Sequence, residues 1–275
     1  MLPIKKSWLM PAGIACFVFA ACGSDKSTDP TPSNDAYIVK SIAVDGQMAD
    51  SFVYVNNQIT ETWAFVDNGE KIKTLYTYDN NGRVVLGKST STKSGSTIDS
   101  LVWQSDKAIL YKQGFDNSGV NTRKDTLTLK VNGSGMMARI GYEDTVRRND
   151  SKYLYYLEFT YTGNNVTGFH QHDFYTGLGP TIENDAKATL EYGQLINPLA
   201  PYLIKNPLLA YEMMDAYGPW LMSANNAVKI TDTPAGELSA TITSTPLAGS
   251  NVIQLSKAAT AKDVSIYYFS LAKKP

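Results

Sequence analysis

The chain has 275 residues, two histidines, two cysteines and a formal net charge of −1. A nearly neutral chain without a basic block has no electrostatic footprint for nucleic acid, so a nucleic-acid partner is excluded. The two cysteines, Cys16 and Cys22, both lie close to the N-terminus. The rest of the chain therefore has no disulfide, no cysteine nucleophile and no thiolate ligand for a metal.

The N-terminus has the pattern of a bacterial lipoprotein signal. Two lysines precede Trp8–Ala21, an apolar run of 14 residues. A membrane-spanning helix needs about 20 apolar residues, so residues 1–21 are predicted to be a signal peptide. The run ends in Phe-Ala-Ala-Cys, which resembles a lipobox with Phe19 in place of the usual aliphatic residue. The pattern predicts lipidation of Cys22; the alternative is a secretory signal with a chance cysteine.

Residues 22–35 are small, polar and proline-containing, and they are predicted to be a disordered tether because they have nothing to bury. Loss of the signal peptide leaves 254 residues with a formal charge of −3, enough for one β domain over residues 36–275. Asp25 and Asp29 are a sparse form of the acidic pattern that directs Bacteroidota lipoproteins to the surface. We therefore expect an exported, lipid-anchored outer-membrane protein, with the surface favoured over the periplasmic face.

The sequence pattern of residues 36–178 predicts a series of β-hairpins. The stretch YTYDNNGRVVLGKS (Tyr76–Ser89) alternates aromatic or β-branched residues with polar ones on both sides of an Asn-Gly turn, as half-buried strands do. Four further stretches repeat the strand–turn–strand pattern. The sequence predicts an all-β fold, an antiparallel up-and-down meander of about ten or more strands that is strongly curled or barrel-like.

Residues 190–222 interrupt the strand pattern, and strands return over residues 227–271. Asn206 followed by proline is typical of a helix N-cap, and Gly218-Pro219 is typical of a helix stop. One short helix is therefore predicted over Pro207–Tyr217, with Ala216 on its apolar face and Glu212 opposite.

The pattern as a whole resembles a family of Bacteroidota lipoproteins of unknown function with a porin-like β fold. The likeness rests on the lipoprotein signal, on hairpins similar to Tyr-Asp repeats such as YTYDNNGRVV, and on the segment EYGQLINPL through NPLLAYEMMDAYGPWLMSANNAVKI. The resemblance implies export and membrane anchoring, and some members are described as lipid-binding on fold grounds alone. It supplies no catalytic residues.

The only histidines, His170 and His172, lie two residues apart on a predicted strand. Alternation places both imidazoles on the same face, which suits a metal pair such as a zinc site. A third ligand has to come from elsewhere, and Glu158 on the partner strand is the candidate. The alternative is a pair of exposed histidines on a polar face, with no cofactor at all.

Three Asp-Ser/Thr-apolar triplets resemble the O-glycosylation acceptor found in Bacteroidota. They place the acceptor hydroxyls on Ser100, Thr126 and Thr145, which would then be exposed. The alternative is a chance occurrence at strand starts.

No pattern in the chain indicates an enzyme: it has no Gly-x-Ser-x-Gly elbow, no phosphate-binding glycine loop, and no carboxylate pair that the sequence brings together. We expect a non-catalytic binding module for an apolar or lipid-like ligand. Four residues in the helix and just after it are expected to face that ligand: Leu209, Met213, Tyr217 and Trp220. The alternatives are a structural, interaction or glycan-binding envelope protein, and a metal-binding protein through His170 and His172.

Overall fold

The computed structural model describes residues 37–66, 68–148, 150–177, 179–233, 239–247, 250–257 and 264–274. They belong to one compact unit, Ser33–Pro275. The predicted signal peptide, the lipidation site Cys22 and the tether lie outside the described residues.

Strands make up most of the described chain. Within these residues, seventeen strands form one sheet. In chain order they are β1 Tyr37–Val44, β2 Gln47–Val55, β3 Gln58–Phe65, β4 Lys71–Tyr78, β5 Val84–Ser91, β6 Ser96–Gln104, β7 Lys107–Phe115, β8 Asn121–Val131, β9 Met137–Gly141, β10 Val146–Arg148, β11 Ser151–Thr162, β12 Asn165–Thr176, β13 Ile182–Ile196, β14 Asn225–Thr233, β15 Ala240–Leu247, β16 Ser250–Lys257 and β17 Val264–Lys273.

Apart from β9 and β10, which both pair with β11, neighbours along the chain pair antiparallel, which confirms the predicted meander. Strand β1 pairs with both β2 and β17, and β11 pairs with β9, β10 and β12. The ladder of paired strands therefore returns to the strand from which it starts, and the sheet is barrel-like, as the sequence predicts. Such an arrangement leaves few unpaired backbone groups along a sheet edge.

The longer hairpin turns share one construction. In the turn after β4, Asp79 Oδ1 accepts hydrogen bonds from the backbone N–H groups of Asn81 and Arg83, at 2.8 and 2.9 Å. Gly82 adopts φ +74°, which only glycine takes at little cost. Asp116 and Asn132 make the same pair of side-chain bonds in the turns after β7 and β8. The repeated unit that the sequence shows is therefore also a repeated hydrogen-bond pattern.

Between β13 and β14 the chain forms helices that pack on the inner face of the sheet. Helix α2 spans Pro207–Tyr217, as predicted, and Asn206 caps it by accepting a hydrogen bond from Leu209 N. The sequence analysis missed two further elements, helix α1 (Ala200–Lys205) and a 3-10 turn (Pro219–Met222), because no polar side chain caps either of them. It also started the helical segment too early, since residues 190–196 complete β13.

The core lies between this helical segment and the strands. Trp220 is 1% exposed, donates a hydrogen bond to the Tyr217 carbonyl oxygen, and packs edge-to-face against Tyr267 and Phe269 of β17. Tyr202 packs edge-to-face against Tyr54 of β2. The helical segment thus contacts β2 and β17, the two strands that flank β1. No helix in the described part of the chain has the length and apolar character needed to cross a bilayer.

Candidate functional site

A cavity of about 320 Å³ lies between α2 and the inner faces of β2 to β6. We call it the inner cavity. Its apolar lining consists of Ala64, Ile72, Met213 and Ala216. Seven further lining residues carry hydroxyl groups: Thr62, Thr74, Ser89, Ser91, Ser94, Ser96 and Thr97. The lining is therefore rich in groups that both donate and accept hydrogen bonds.

Two carboxyl groups, those of Asp50 and Glu212, also line the inner cavity. Burial raises the pKa of Asp50 to about 6, against the opposing effect of a hydrogen bond from the Tyr217 hydroxyl. Burial likewise raises the pKa of Glu212 to about 7, although the Tyr76 hydroxyl donates to its Oε2 at 2.8 Å. Both groups therefore change protonation in the mildly acidic to neutral range.

Strand alternation and helix position explain how these carboxyls reach the interior. Asp50 shares the inner face of β2 with buried Phe52, two residues along the strand. Glu212 does not face solvent, as the helix pattern predicts, but faces Tyr76 of β4. Ala216, assigned to the apolar face, is exposed and lines the inner cavity. Ala216 therefore shares the cavity wall with Met213, as predicted, whereas the prediction for Glu212 was wrong because the surrounding strands give α2 a second inward-facing side.

A further charged pair lies near the inner cavity. Lys112 Nζ is 2.8 Å from Asp99 Oδ2, and both side chains are largely buried. Lys112 also lies 5.2 Å above the centre of the Tyr211 ring. Lys112 lowers and Asp99 raises the pKa of Glu212, so this pair adjusts the charge of the cavity without lining it.

The four predicted ligand-facing residues occupy different places. Met213 lines the inner cavity. Leu209, Tyr217 and Trp220 are buried in the core and do not line it; Tyr217 is linked to it only through its hydrogen bond to Asp50.

A second cluster lies on the outer face of the sheet, where His170 and His172 share the face of β12 opposite buried Phe169. His170 Nε2 lies 2.5 Å and His172 Nδ1 lies 3.2 Å from the same atom, Oδ1 of Asp185 in β13. We call these three residues the histidine cluster. One nitrogen or oxygen from each lies within 4.8 Å of the others, close enough to hold one metal ion.

Neighbouring side chains fix the orientation of the histidine cluster. Lys187 Nζ pairs with the other oxygen of Asp185, Oδ2, at 3.1 Å. Tyr156 stacks on the His172 ring, with centroids 5.2 Å apart and 20° between the planes. Hydrogen bonds from His170, His172 and Lys187, in that order of effect, hold the pKa of the Asp185 carboxyl well below its usual range.

The sequence pattern finds the histidine pair but names a different third residue. Glu158 is directly opposite His170 in the β11–β12 ladder, as expected, yet its Oε2 lies 3.7 Å from Nδ1 of that ring. Asp185, which the sequence analysis missed, lies opposite His172 in the β12–β13 ladder. Extending the strand alternation into the next hairpin would have found it, provided the register of that hairpin were known.

The three predicted glycosylation acceptors differ in accessibility. Thr126 in β8 and Thr145 before β10 are exposed, whereas Ser100 is half-buried in β6.

Comparison with known proteins gave similarity in structure only. No protein-family model matches the chain, and no curated protein sequence matches it. Among solved structures, a porin-like protein from Bacteroides uniformis is similar over 86% of this chain and 98% of its own, with 11% identity and a TM-score of 0.34. A porin-like protein from Bacteroides vulgatus covers 86% and 99%, with 8% identity and a TM-score of 0.38. At these TM-scores neither similarity carries an argument about this chain.

Proposed function

We propose that this protein is a non-catalytic binding module of the bacterial envelope that holds a small, neutral, polyhydroxylated ligand, such as a sugar unit, in the inner cavity. The observation that carries the proposal is the lining of that cavity, where seven hydroxyl side chains and two carboxyl groups surround four apolar ones. Its volume of about 320 Å³ lies near the lower end of the range for small-molecule sites, about 300–1,000 Å³.

The hydroxyl and carboxyl groups among the lining residues favour a sugar-like ligand over the apolar or lipid-like ligand expected from the sequence, although most of the surface that the cavity exposes is apolar. An alkyl chain would displace the water that hydrogen-bonds to the hydroxyl and carboxyl groups, and it could not replace those hydrogen bonds. Each polar group left without a partner would cost about 1–3 kcal/mol. A sugar donates and accepts with each hydroxyl, while its C–H faces contact side chains such as Ile72 and Met213.

The two carboxyl groups favour a neutral ligand. Their pKa values, about 6 for Asp50 and about 7 for Glu212, allow each to donate when protonated and to accept when ionised. An anionic ligand would be repelled once they ionise, whereas a polyhydroxylated one finds a hydrogen-bond partner in both states.

The envelope location is supported by the sequence of residues 1–35, with its signal peptide, its lipobox-like Phe-Ala-Ala-Cys and its polar tether. Lipidation of Cys22 would attach the domain to the outer membrane and leave the barrel-like sheet free to bind on either side. Surface display, which Asp25 and Asp29 favour, would give the inner cavity access to glycans outside the cell.

Calorimetric titration of the full chain with a panel of monosaccharides and disaccharides tests the proposal. We expect one to bind at the inner cavity. Asp50→Ala should weaken binding by about tenfold or more, since one hydrogen bond to a charged group contributes about 1.5–3 kcal/mol, and Thr97→Val should weaken it less, since a hydrogen bond between neutral groups contributes about 0.5–1.5 kcal/mol. Thr126→Val is the matched control, because this threonine is exposed on the outer face. No sugar binding, together with a co-purifying lipid that Met213→Ala removes, would establish the lipid-like ligand instead. Turnover of the sugar would contradict a non-catalytic role.

A further inference from the structure

We propose that the histidine cluster is a binding site for one divalent transition-metal ion of the zinc type, with His170 Nε2, His172 Nδ1 and Asp185 Oδ1 as its ligands. The site is independent of the inner cavity, since it lies on the opposite face of the sheet and on different strands. The proposal rests on the convergence of these three atoms, which lie within 4.8 Å of one another.

Backbone hydrogen bonding holds the three ligands in place. His172 lies directly opposite Asp185 in the β12–β13 ladder, and His170 lies two residues away on the same face. Directly opposite and diagonal pairs on one face of a sheet are within reach of long side chains. A site built on regular strands in a fixed register needs little ordering when the ion binds, because the ladder has already positioned the ligands.

The donor atoms select the class of metal. Two imidazole nitrogens and one carboxylate oxygen suit zinc and related first-row ions. Calcium prefers six to eight oxygen ligands, and magnesium prefers an octahedral set of oxygens, so neither fits this cluster. Three protein ligands also leave a coordination position open for water or for a group from a partner molecule.

Surrounding groups have the arrangement that supports a metal site. Glu158 Oε2 lies 3.7 Å from His170 Nδ1, the ring nitrogen that does not contact Asp185. At 3.7 Å this is a charge contact and not a hydrogen bond, and a small side-chain rotation would let the carboxylate accept from that ring nitrogen and orient a ligating imidazole. We therefore assign Glu158 to orientation and not to ligation. Lys187 forms an ion pair with Oδ2 of Asp185, so the other oxygen, Oδ1, faces both histidines.

The charges around the cluster balance. The carboxylates of Asp185 and Glu158 are each paired with a cation, Lys187 at 3.1 Å and Arg139 at 3.5 Å. The local field therefore offers little general attraction to cations. Binding would come from coordination bonds, which predicts selectivity for zinc-type ions over magnesium and calcium at equal concentration.

Titration of the chelator-treated full chain with Zn²⁺, followed by calorimetry, tests the site. We expect one ion per chain and a loss of affinity of at least about 100-fold in His172→Ala and in Asp185→Asn, because removal of even an orienting partner costs 10–100-fold. Glu158→Gln should lose about 10-fold. Gln171→Ala, between the histidines but on the other face of β12, is the control and should bind as the wild type does.

The visible absorption of Co²⁺ bound in place of zinc gives a second readout, since it reports the ligand geometry and should vanish in His172→Ala. All variants should unfold at nearly the wild-type midpoint, because the cluster lies outside the core. Absence of stoichiometric Zn²⁺ binding to the wild type would overturn the proposal. Equal affinities for the wild type and His172→Ala would overturn it as well.

Discussion

The inner cavity and the histidine cluster each contain a carboxyl group on a strand, Asp50 of β2 and Asp185 of β13, yet the pKa values of these two groups shift in opposite directions. On the inner face, burial raises the pKa of Asp50 to about 6. On the outer face, two imidazoles and a lysine hold the pKa of Asp185 well below its usual range. Asp50 lies on the buried inner face of β2, whereas Asp185 lies on the outer face of β13 beside cationic partners.

The two sites also differ in the parts of the fold that they require. The inner cavity requires α2, because Glu212, Met213 and Ala216 form one of its walls. The histidine cluster requires only the register of β12 and β13. Changes in the helical core should therefore damage the inner cavity and spare the histidine cluster.

Removal of the central core side chain should have the largest effect. Trp220→Ala is expected to lower the free energy of unfolding by about 3–5 kcal/mol, the usual cost of truncating a buried aromatic side chain. Denaturant titration measures this loss. Trp63→Ala in β3 is the control, because Trp63 is only half-buried and outside the core cluster, and it should cost less than about 2 kcal/mol. Equal losses in the two variants would show that α2 and the turn after it do not anchor the core.

The titration of Asp50 should produce the next largest effect. Its pKa in the folded state, about 6, lies above 3.8, the usual value for an aspartate, so the folded state holds more protons between these two pH values. The free energy of unfolding should therefore fall as pH rises from about 4 to 6, by up to about 3 kcal/mol from this group.

Asp50→Asn should remove that part of the pH dependence, while the surface carboxyls contribute equally to both proteins and cancel in the difference. Unfolding titrations of both proteins at several pH values make the measurement. If the free energy of unfolding depended on pH in the same way in the wild type and in the variant, that result would contradict a raised pKa for the buried Asp50 carboxyl.

Loss of the α2 cap should cost less. Asn206 is fully buried, its Oδ1 accepts from Leu209 N at 3.0 Å, and its Nδ2 donates to the Tyr78 hydroxyl at 3.1 Å. Asn206→Ala is expected to destabilise the fold by about 1–2 kcal/mol. Asn206→Ser, which keeps a capping oxygen, should recover part of that loss. Thermal unfolding compares the variants. An unchanged midpoint in Asn206→Ala would show that the Asn206 cap does not stabilise α2.

The histidine cluster should contribute least to stability. In metal-free protein, Asp185→Asn is expected to cost less than about 1 kcal/mol, because exposed ion pairs are screened by solvent and salt. The loss should shrink further as salt concentration rises. A loss as large as that of Asn206→Ala would mean that the cluster is a structural element of the sheet and not a preformed ligand set.

Local sequence signals determined much of this fold. Period-two alternation and turn residues predicted the strands and their meander, since both depend on neighbouring residues alone. Asn206 and Pro207 fixed the start of α2, and Gly218 its end. The repeated turns follow from Asp79 and its equivalents, whose side chains bond to backbone groups two and four residues onward.

Only the tertiary structure decided which residues share a site. Asp185 joins the two histidines through the register of a separate hairpin, and a shift of one residue in that register would place it on the other face. Glu212 faces inward because strands surround α2, which no helix periodicity shows. The sequence determined the elements through interactions between near neighbours, whereas the two sites depend on strand register and on the return of the ladder to β1, which join residues far apart in the chain.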